Sequence, residues 1–316
     1  MSASRPQPAD QAPAPQQPVR DKIIVITGAS SGLGLETAKQ LAGQGAEIVM
    51  IVRDPIRGGH ARSQVAEVAA GKSPVLLTAD LSVQADIRRV AKQIKDRYDH
   101  IDILINNAGN AFNHRDLSAD GIELTWAVNQ LAPFLLTELL LPLIVRSPAG
   151  RIVNLTTNVY SHKLDLDNLQ GERKYSWMGA YRISKLGLVL FTTELARRVT
   201  GSGVSVVLVS PVGTKTNFGG GGPSGLLGVM FAVMKHTPAT KTAEQSAQGI
   251  VWAATAPELS DNSGVFYMAG KKHSLKGAAT DPSLAAEIWK ISEQQTGIDP
   301  ADSAVASVTA ADGPDV

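Results

Sequence analysis

Thr27-Gly28-Ala29-Ser30-Ser31-Gly32-Leu33-Gly34 follows the β-branched run Ile23–Thr27 and opens a segment in which Leu35, Ala38, Leu41 and Ala42 recur at helical spacing, until Gly45-Ala46 stops it. A first strand running through a glycine turn into a helix is the setting of a dinucleotide-binding turn. Without Cβ atoms the backbone turns tightly and can approach a pyrophosphate held at the positive end of the following helix. Glycines also end strands for purely local reasons. The position directly after strand one lifts this turn above that reading.

Working outward, β-branched runs recur at 48–52, 75–78, 101–105, 151–155 and 204–209, with a further candidate at 265–267, separated by segments of helical apolar spacing. Near-continuous apolar strands alternating with helices predict a parallel sheet covered on both faces. The expected fold is therefore α/β: a single-domain, Rossmann-type, doubly wound parallel sheet flanked by helices on both faces.

Composition agrees with a globular protein. The chain has 316 residues, 30 Lys+Arg against 29 Asp+Glu, 43% apolar content and no cysteine. A net charge of +1 gives no basic excess for neutralising phosphates, so nucleic acid is not an expected partner. The absence of cysteine removes thiolate zinc sites and cysteine nucleophiles, and His60, His100, His114, His162, His236 and His273 form no metal-binding spacing. Residues 1–20 are rich in Pro, Ala and Gln, with no signal-peptide core, and read as a disordered arm of a cytoplasmic protein. Residues 297–316 hold no Lys, Arg or aromatic residue and read as a disordered tail, leaving a catalytic domain of 21–296. The apolar stretch 131–145 contains Glu138, Pro133 and Pro142 and is shorter than the ~20 residues a bilayer requires, so a buried helix rather than an integral membrane span is expected. Within 212–240, glycines 219–222 precede an apolar run at 226–234, which reads equally as a lid over a greasy substrate or as a packed helix.

Cofactor choice is read at the end of the second strand, where a carboxylate would hold the adenosine ribose and an Arg would accept a 2′-phosphate. Arg53 comes first, with Asp54 behind it and Arg57 nearby. Arg53 in the deciding position favours NADP(H); a shift of one residue to Asp54 would favour NAD(H). Two tyrosines carry Lys four positions on: Tyr181 with Lys185 and Tyr267 with Lys271. On a helix i and i+4 share a face, so Lys185 would draw the Tyr181 pKa down towards that of a working general acid. Tyr267, on a strand leading into a glycine turn, reads as a decoy.

The spacing Gly-x-x-x-Gly-x-Gly, followed by Asp80-Leu81, Asn106-Asn107-Ala108-Gly109, Asn129, Tyr181-Arg-Ile-Ser-Lys185 and Pro211 to Thr216, resembles the short-chain dehydrogenase/reductase family over nearly all of the core. The resemblance implies an NAD(P)-dependent oxidoreductase whose cofactor is contacted by Gly28, Ser30, Ser31, Gly32, Leu33 and Gly34 of the turn. It extends that role to Arg53, Asp80, Leu81, Asn107, Ala108, Gly109, Tyr181, Lys185, Pro211 and Thr216. It also implies that Tyr181 donates a proton to a substrate carbonyl as hydride arrives, that Lys185 binds the nicotinamide ribose, and that Asn129 anchors a water relay to Lys185.

Two positions depart from the family's pattern. Thr157 stands where Ser is usual, with Thr156 a competitor, and Val212 replaces the Gly that normally follows Pro211. A Thr hydroxyl can still donate to an oxyanion, whereas Val does not adopt positive φ cheaply, which predicts a remodelled loop. The segment 174–186 and Trp289-Lys-Ile-Ser-Glu293 look like the retinol dehydrogenase-like branch, which implies a small lipophilic carbonyl or alcohol substrate. A non-catalytic NADP(H) sensor and a lipid-docking protein are the competing readings. The family's habit of pairing implies a homodimer or homotetramer formed through helices at 118–142 and 178–200.

Overall fold

In a computed structural model the described residues are 18–211 and 242–306. The segment 212–240, read as a lid or a packed helix and including Val212 and Thr216, lies outside them. Eight strands form one sheet: β1 (Ile23–Thr27), β2 (Glu47–Val52), β3 (Val75–Thr78), β4 (Ile103–Asn106), β5 (Arg151–Leu155), β6 (Ser205–Ser210), β7 (Val265–Met268) and β8 (Lys271–His273), in the order β3-β2-β1-β4-β5-β6-β7-β8. All neighbours pair in parallel except β8, a short antiparallel edge strand that the sequence reading missed. Its Lys-Lys-His sequence has no apolar signal to read.

Because successive strand residues face opposite sides, one set packs below the sheet and the alternate set above it. Ile24, Ile26, Ile48 and Met50 meet α1 (Gly32–Gly43) and α7 (Ala243–Thr255). Val25, Val49, Ile51 and Leu104 meet α3 (Gln84–Lys95) and α5 (Ala132–Ile144), while α2 (Pro55–Val68) links β2 to β3. The helix reaching α5 begins as a short α4 (Leu124–Trp126) and passes through a π-helical turn (Ala127–Leu131). The continuous run Leu124–Ile144 is long and apolar enough by composition to cross a bilayer, yet 83% of its apolar window is buried inside the protein. A helix apolar all round belongs in a core of this kind.

Helix α6 (Trp177–Arg198) packs along α8 (Pro282–Thr296), whose Trp289 also reaches Phe134 of α5. Trp289 of α8 packs edge-on to Phe134 at 5.1 Å and lies 5.9 Å from Phe191, with the Arg198 guanidinium 4.3 Å above its ring.

The tail assignment needs correction. Gly297 ends α8 in the left-handed region at φ 65°, and residues 298–306 then fold back onto the core, burying Ala304 and Val305. Their anchor is Glu138, a carboxylate enclosed in α5 that accepts from Ser303 Oγ at 2.9 Å and Ala304 N at 3.0 Å. A buried carboxylate demands donors, and this otherwise featureless segment supplies them. At the other end Val19, assigned to the arm, is also buried in the core.

Candidate active site

Doubly wound sheets bind ligands at the carboxyl ends of their strands, in the crevice where strand order reverses. That reversal falls between β1 and β4. Gly28 leaves β1 at φ 67° with its N–H on Ile51 O, and Gly32 follows at φ 55°. A Cβ on Gly34 would sit 2.4 Å from Gly28 O, so the helix can approach the turn this closely only through glycine. Ser31 caps α1 without a side-chain bond, and no acidic residue occupies the first turn. The first-turn N–H groups around Ser30, Ser31, Gly32 and Leu33 are therefore available to an anion.

Asn107 braces this turn from β4. Its Nδ2 donates to Thr27 O at 2.7 Å, while Thr27 Oγ1 accepts from the N–H groups of Asn107 and Ala108 at 3.0 Å each. This brace was not read from the sequence; a polar Thr27 ending an otherwise apolar strand was the available signal. At the end of β2 the two candidate residues have separate fates. Asp54 Oδ1 caps α2 by accepting from Ile56 N at 2.9 Å and Arg57 N at 3.0 Å. Arg53 is exposed and makes no ion pair among the described residues. Asp80, beyond β3, turns its carboxylate onto Ser82, and Leu81 packs partly buried against the core.

The residues expected to handle protons gather beside β4 and β5. Asn129, in the π-helical turn, accepts from Asn110 N at 2.8 Å and donates to Asn110 O at 2.8 Å and Ser184 Oγ at 3.0 Å. Lys185 Nζ donates to Leu155 O at 3.0 Å and lies 5.9 Å from the Tyr181 ring centroid. Gly109 is where these groups converge: a Cβ there would be 3.3 Å from Asn129 Oδ1 and 3.4 Å from Lys185 Nζ. Thr157 Oγ1 accepts from Val159 N at 3.1 Å, which leaves its proton free to donate. The Thr156 hydroxyl is buried without a hydrogen-bond partner among the described residues. Pro211 directly follows β6 at the same rim. Tyr267 and Lys271 fall on separate strands, β7 and β8.

Burial controls the titration of both central groups. It pushes the Tyr181 phenol up to about 12 and the Lys185 ammonium down to about 8. The expected lowering of Tyr181 by Lys185 is therefore not realised in the protein alone. Lys185 is itself desolvated and spends a donor on Leu155 O, so its field does not outweigh the cost of a buried phenolate.

A sequence model of the short chain dehydrogenase family matches residues 22–221. The chain is a short-chain dehydrogenase/reductase. Retinol dehydrogenase 14 of Mus musculus is 34% identical over 288 residues, covering 88% of this chain and 86% of that protein. A Streptomyces protein described as a candidate daunorubicin C-13 ketoreductase is 34% identical over 278 residues, covering 87% of this chain and 93% of its own length. Among solved structures, an uncharacterised Mycobacterium paratuberculosis protein superposes with a TM-score of 0.71 at 30% identity, covering 91% of this chain and 97% of that one. Within its family this short-chain dehydrogenase/reductase belongs to the retinol dehydrogenase-like branch, and it is an NAD(P)-dependent oxidoreductase acting on alcohol and carbonyl groups. The chain's own residues fit that cofactor: open N–H donors at α1, glycines where a Cβ would obstruct, and a lysine at the floor of the crevice.

Proposed function

We propose that this enzyme uses NADP(H) to interconvert a lipophilic ketone or aldehyde and its alcohol, with Tyr181 as general acid and base. The observation that carries the reading is the convergence of Lys185 Nζ on Gly109, Asn129 and the Tyr181 ring at the ends of β4 and β5, next to the sheet's switch point. For cofactor choice the support is the division of labour after β2. Asp54 is committed to capping α2, which leaves Arg53 as the group available to a ribose 2′-phosphate. The lipophilic substrate class is supported by the names of the two relatives above, one a retinol dehydrogenase and the other a daunorubicin ketoreductase.

The nicotinamide, when bound, supplies or accepts the hydride. With its phenol near 12, Tyr181 holds its proton at neutral pH and stands ready as the acid for carbonyl reduction. Lys185, with its ammonium near 8, is mostly cationic at that pH and stabilises the phenolate left behind. Thr157 can donate its free hydroxyl proton to the developing oxyanion. Asn129 is locked by three hydrogen bonds and holds the geometry between Lys185 and the loop at Asn110.

Titrating purified protein with NADPH and NADH while following nicotinamide fluorescence, then adding a panel of lipophilic aldehydes and ketones, tests this directly. NADPH should bind more tightly and be oxidised by at least one panel member. Tyr181→Phe should retain NADPH binding and lose turnover by about 100- to 10,000-fold. Intact turnover in that variant refutes the assignment, and binding without turnover of any carbonyl transfers weight to a sensing role.

A further inference from the structure

We propose that α8 positions Asn129 through the Ser292–Gln130 hydrogen bond, making Ser292 and Gln130 positioning residues for the proton relay. The inference rests on the reading of Asn129 and Lys185 given above. It also assigns a task to the Trp289-Lys-Ile-Ser292-Glu293 sequence, which the active-site chemistry does not use.

A π-helical turn carries one more residue per turn than the α-helix around it and persists where surrounding contacts hold it open. Asn129 sits in the middle of such a turn, and both of its flanks are gripped from α8. Before it, Trp126 Nε1 donates to Gln295 Oε1 at 2.8 Å; after it, Gln130 Nε2 donates to Ser292 Oγ at 2.8 Å. Gln130 and Ser292 are both fully enclosed. The Ser292 proton is committed to Ile288 O at 2.6 Å, so its oxygen can only accept from Gln130, and the direction of the bond is fixed. Gln130 Oε1 has no hydrogen-bond partner among the described residues, which leaves Ser292 as the polar hold on that side chain.

The grip is rigid at its far end as well. Gln84 Nε2 and Arg88 of α3 donate to the backbone oxygens of Gln295 and Thr296, fixing the last turn of α8. From the opposite side α6 presses on the same turn. A Cβ on Gly187 would lie 2.7 Å from Trp126 Cζ3 and 2.9 Å from Gln130 Cγ, two residues beyond Lys185. The turn bearing Asn129 is thus clamped between the helix of Lys185 and α8. Relaxing it to ordinary α-helix would rotate residues by about 100° per residue lost. Such a rotation would draw Asn129 away from Asn110 and Ser184.

The test uses full-length enzyme and the panel carbonyl that the wild type turns over. Ser292→Ala should lower kcat by about 10- to 100-fold with the carbonyl KM and NADPH Kd within about twofold of wild type, because positioning rather than binding is lost. Ser292→Thr, which keeps the hydroxyl, should retain kcat. Gln130→Met should reproduce the loss, and the double variant should be no worse than either single. Should Ser292→Ala fail to fold, Gln295→Met removes the partly exposed Trp126 bond instead and carries the same expectation.

An independent arm needs no turnover. Backbone hydrogen exchange across residues 124–135 of cofactor-free protein should be faster in Ser292→Ala than in wild type. Unchanged kcat in the variants overturns the proposal whatever happens to their melting temperatures, and so does unchanged exchange. A wild type inactive on every carbonyl would defeat the oxidoreductase reading instead, and the exchange result would then decide alone whether α8 holds the turn.

Discussion

Replacing Lys185 with methionine should destroy catalysis and stabilise the cofactor-free protein. The side chain is buried, and its ammonium is pushed from an ordinary value of 10.5 down to about 8 by loss of solvent. A displacement of that size corresponds to about 3 kcal/mol of penalty for holding the charge at neutral pH. Methionine matches the stem and carries no charge, but it leaves Leu155 O without the donor it has at 3.0 Å, a loss of about 1 kcal/mol. The balance is about 2 kcal/mol in favour of Lys185→Met, or about 3 °C in melting temperature for a chain of this size.

The pH dependence gives this expectation its sign. Between the folded value near 8 and the ordinary value of 10.5, the unfolded chain binds more protons than the folded one. Wild-type stability from this group therefore rises with pH across that window. The penalty is fully present below pH 8, so the advantage of Lys185→Met is largest there and should vanish near pH ~10, where the remaining penalty of about 1 kcal/mol only balances the lost hydrogen bond. Urea unfolding of both proteins without cofactor at pH 7 and pH 10 measures the difference. A variant less stable than wild type at pH 7, or an advantage that does not shrink with pH, would refute the argument that the lysine is held desolvated at a cost in stability.

Arg53→Ala should weaken NADPH binding by about 10- to 100-fold, the worth of a charge-assisted hydrogen bond, and leave NADH binding unchanged in the same fluorescence titration. The kcat for carbonyl reduction should fall as pH rises through about 8, because Lys185 loses the charge that stabilises the Tyr181 phenolate; a flat profile from pH 6 to 9.5 would contradict that role. Truncation after Gly297 should cost at least about 2 kcal/mol in urea unfolding by stripping Glu138 of its donors at Ser303 and Ala304, and Glu138→Met should recover part of that loss in the truncated chain.

The candidates at the strand ends were legible because each follows a strand with a clear apolar signal, whereas Asn129, Tyr181 and Lys185 lie in helices. Gly28 follows β1, Arg53 β2, Asp80 β3, Asn107 β4, Thr157 β5 and Pro211 β6, so locating the strands located the candidates. What escaped notice depends on partners distant in sequence. The Asn107 brace joins residues 80 apart, and the Glu138 anchor joins residues 165 apart. No local pattern in the segment 297–306 announces that its Ser and its backbone N–H answer a buried carboxylate in α5. The direction of the Tyr181 shift was misjudged for a related reason. The i, i+4 rule places two side chains on one face but says nothing about how much water remains around them.

The last helix ties these findings together. Helix α5 is apolar on every side, so each of its faces requires a cover, and the sheet and α3 supply only part of it. In this chain Trp289 and the segment around Val305 provide the rest from within the molecule. The same helix α8 carries the Ser292 and Gln295 contacts beside Asn129, so cover for Phe134 and support for the π-helical turn come from one element.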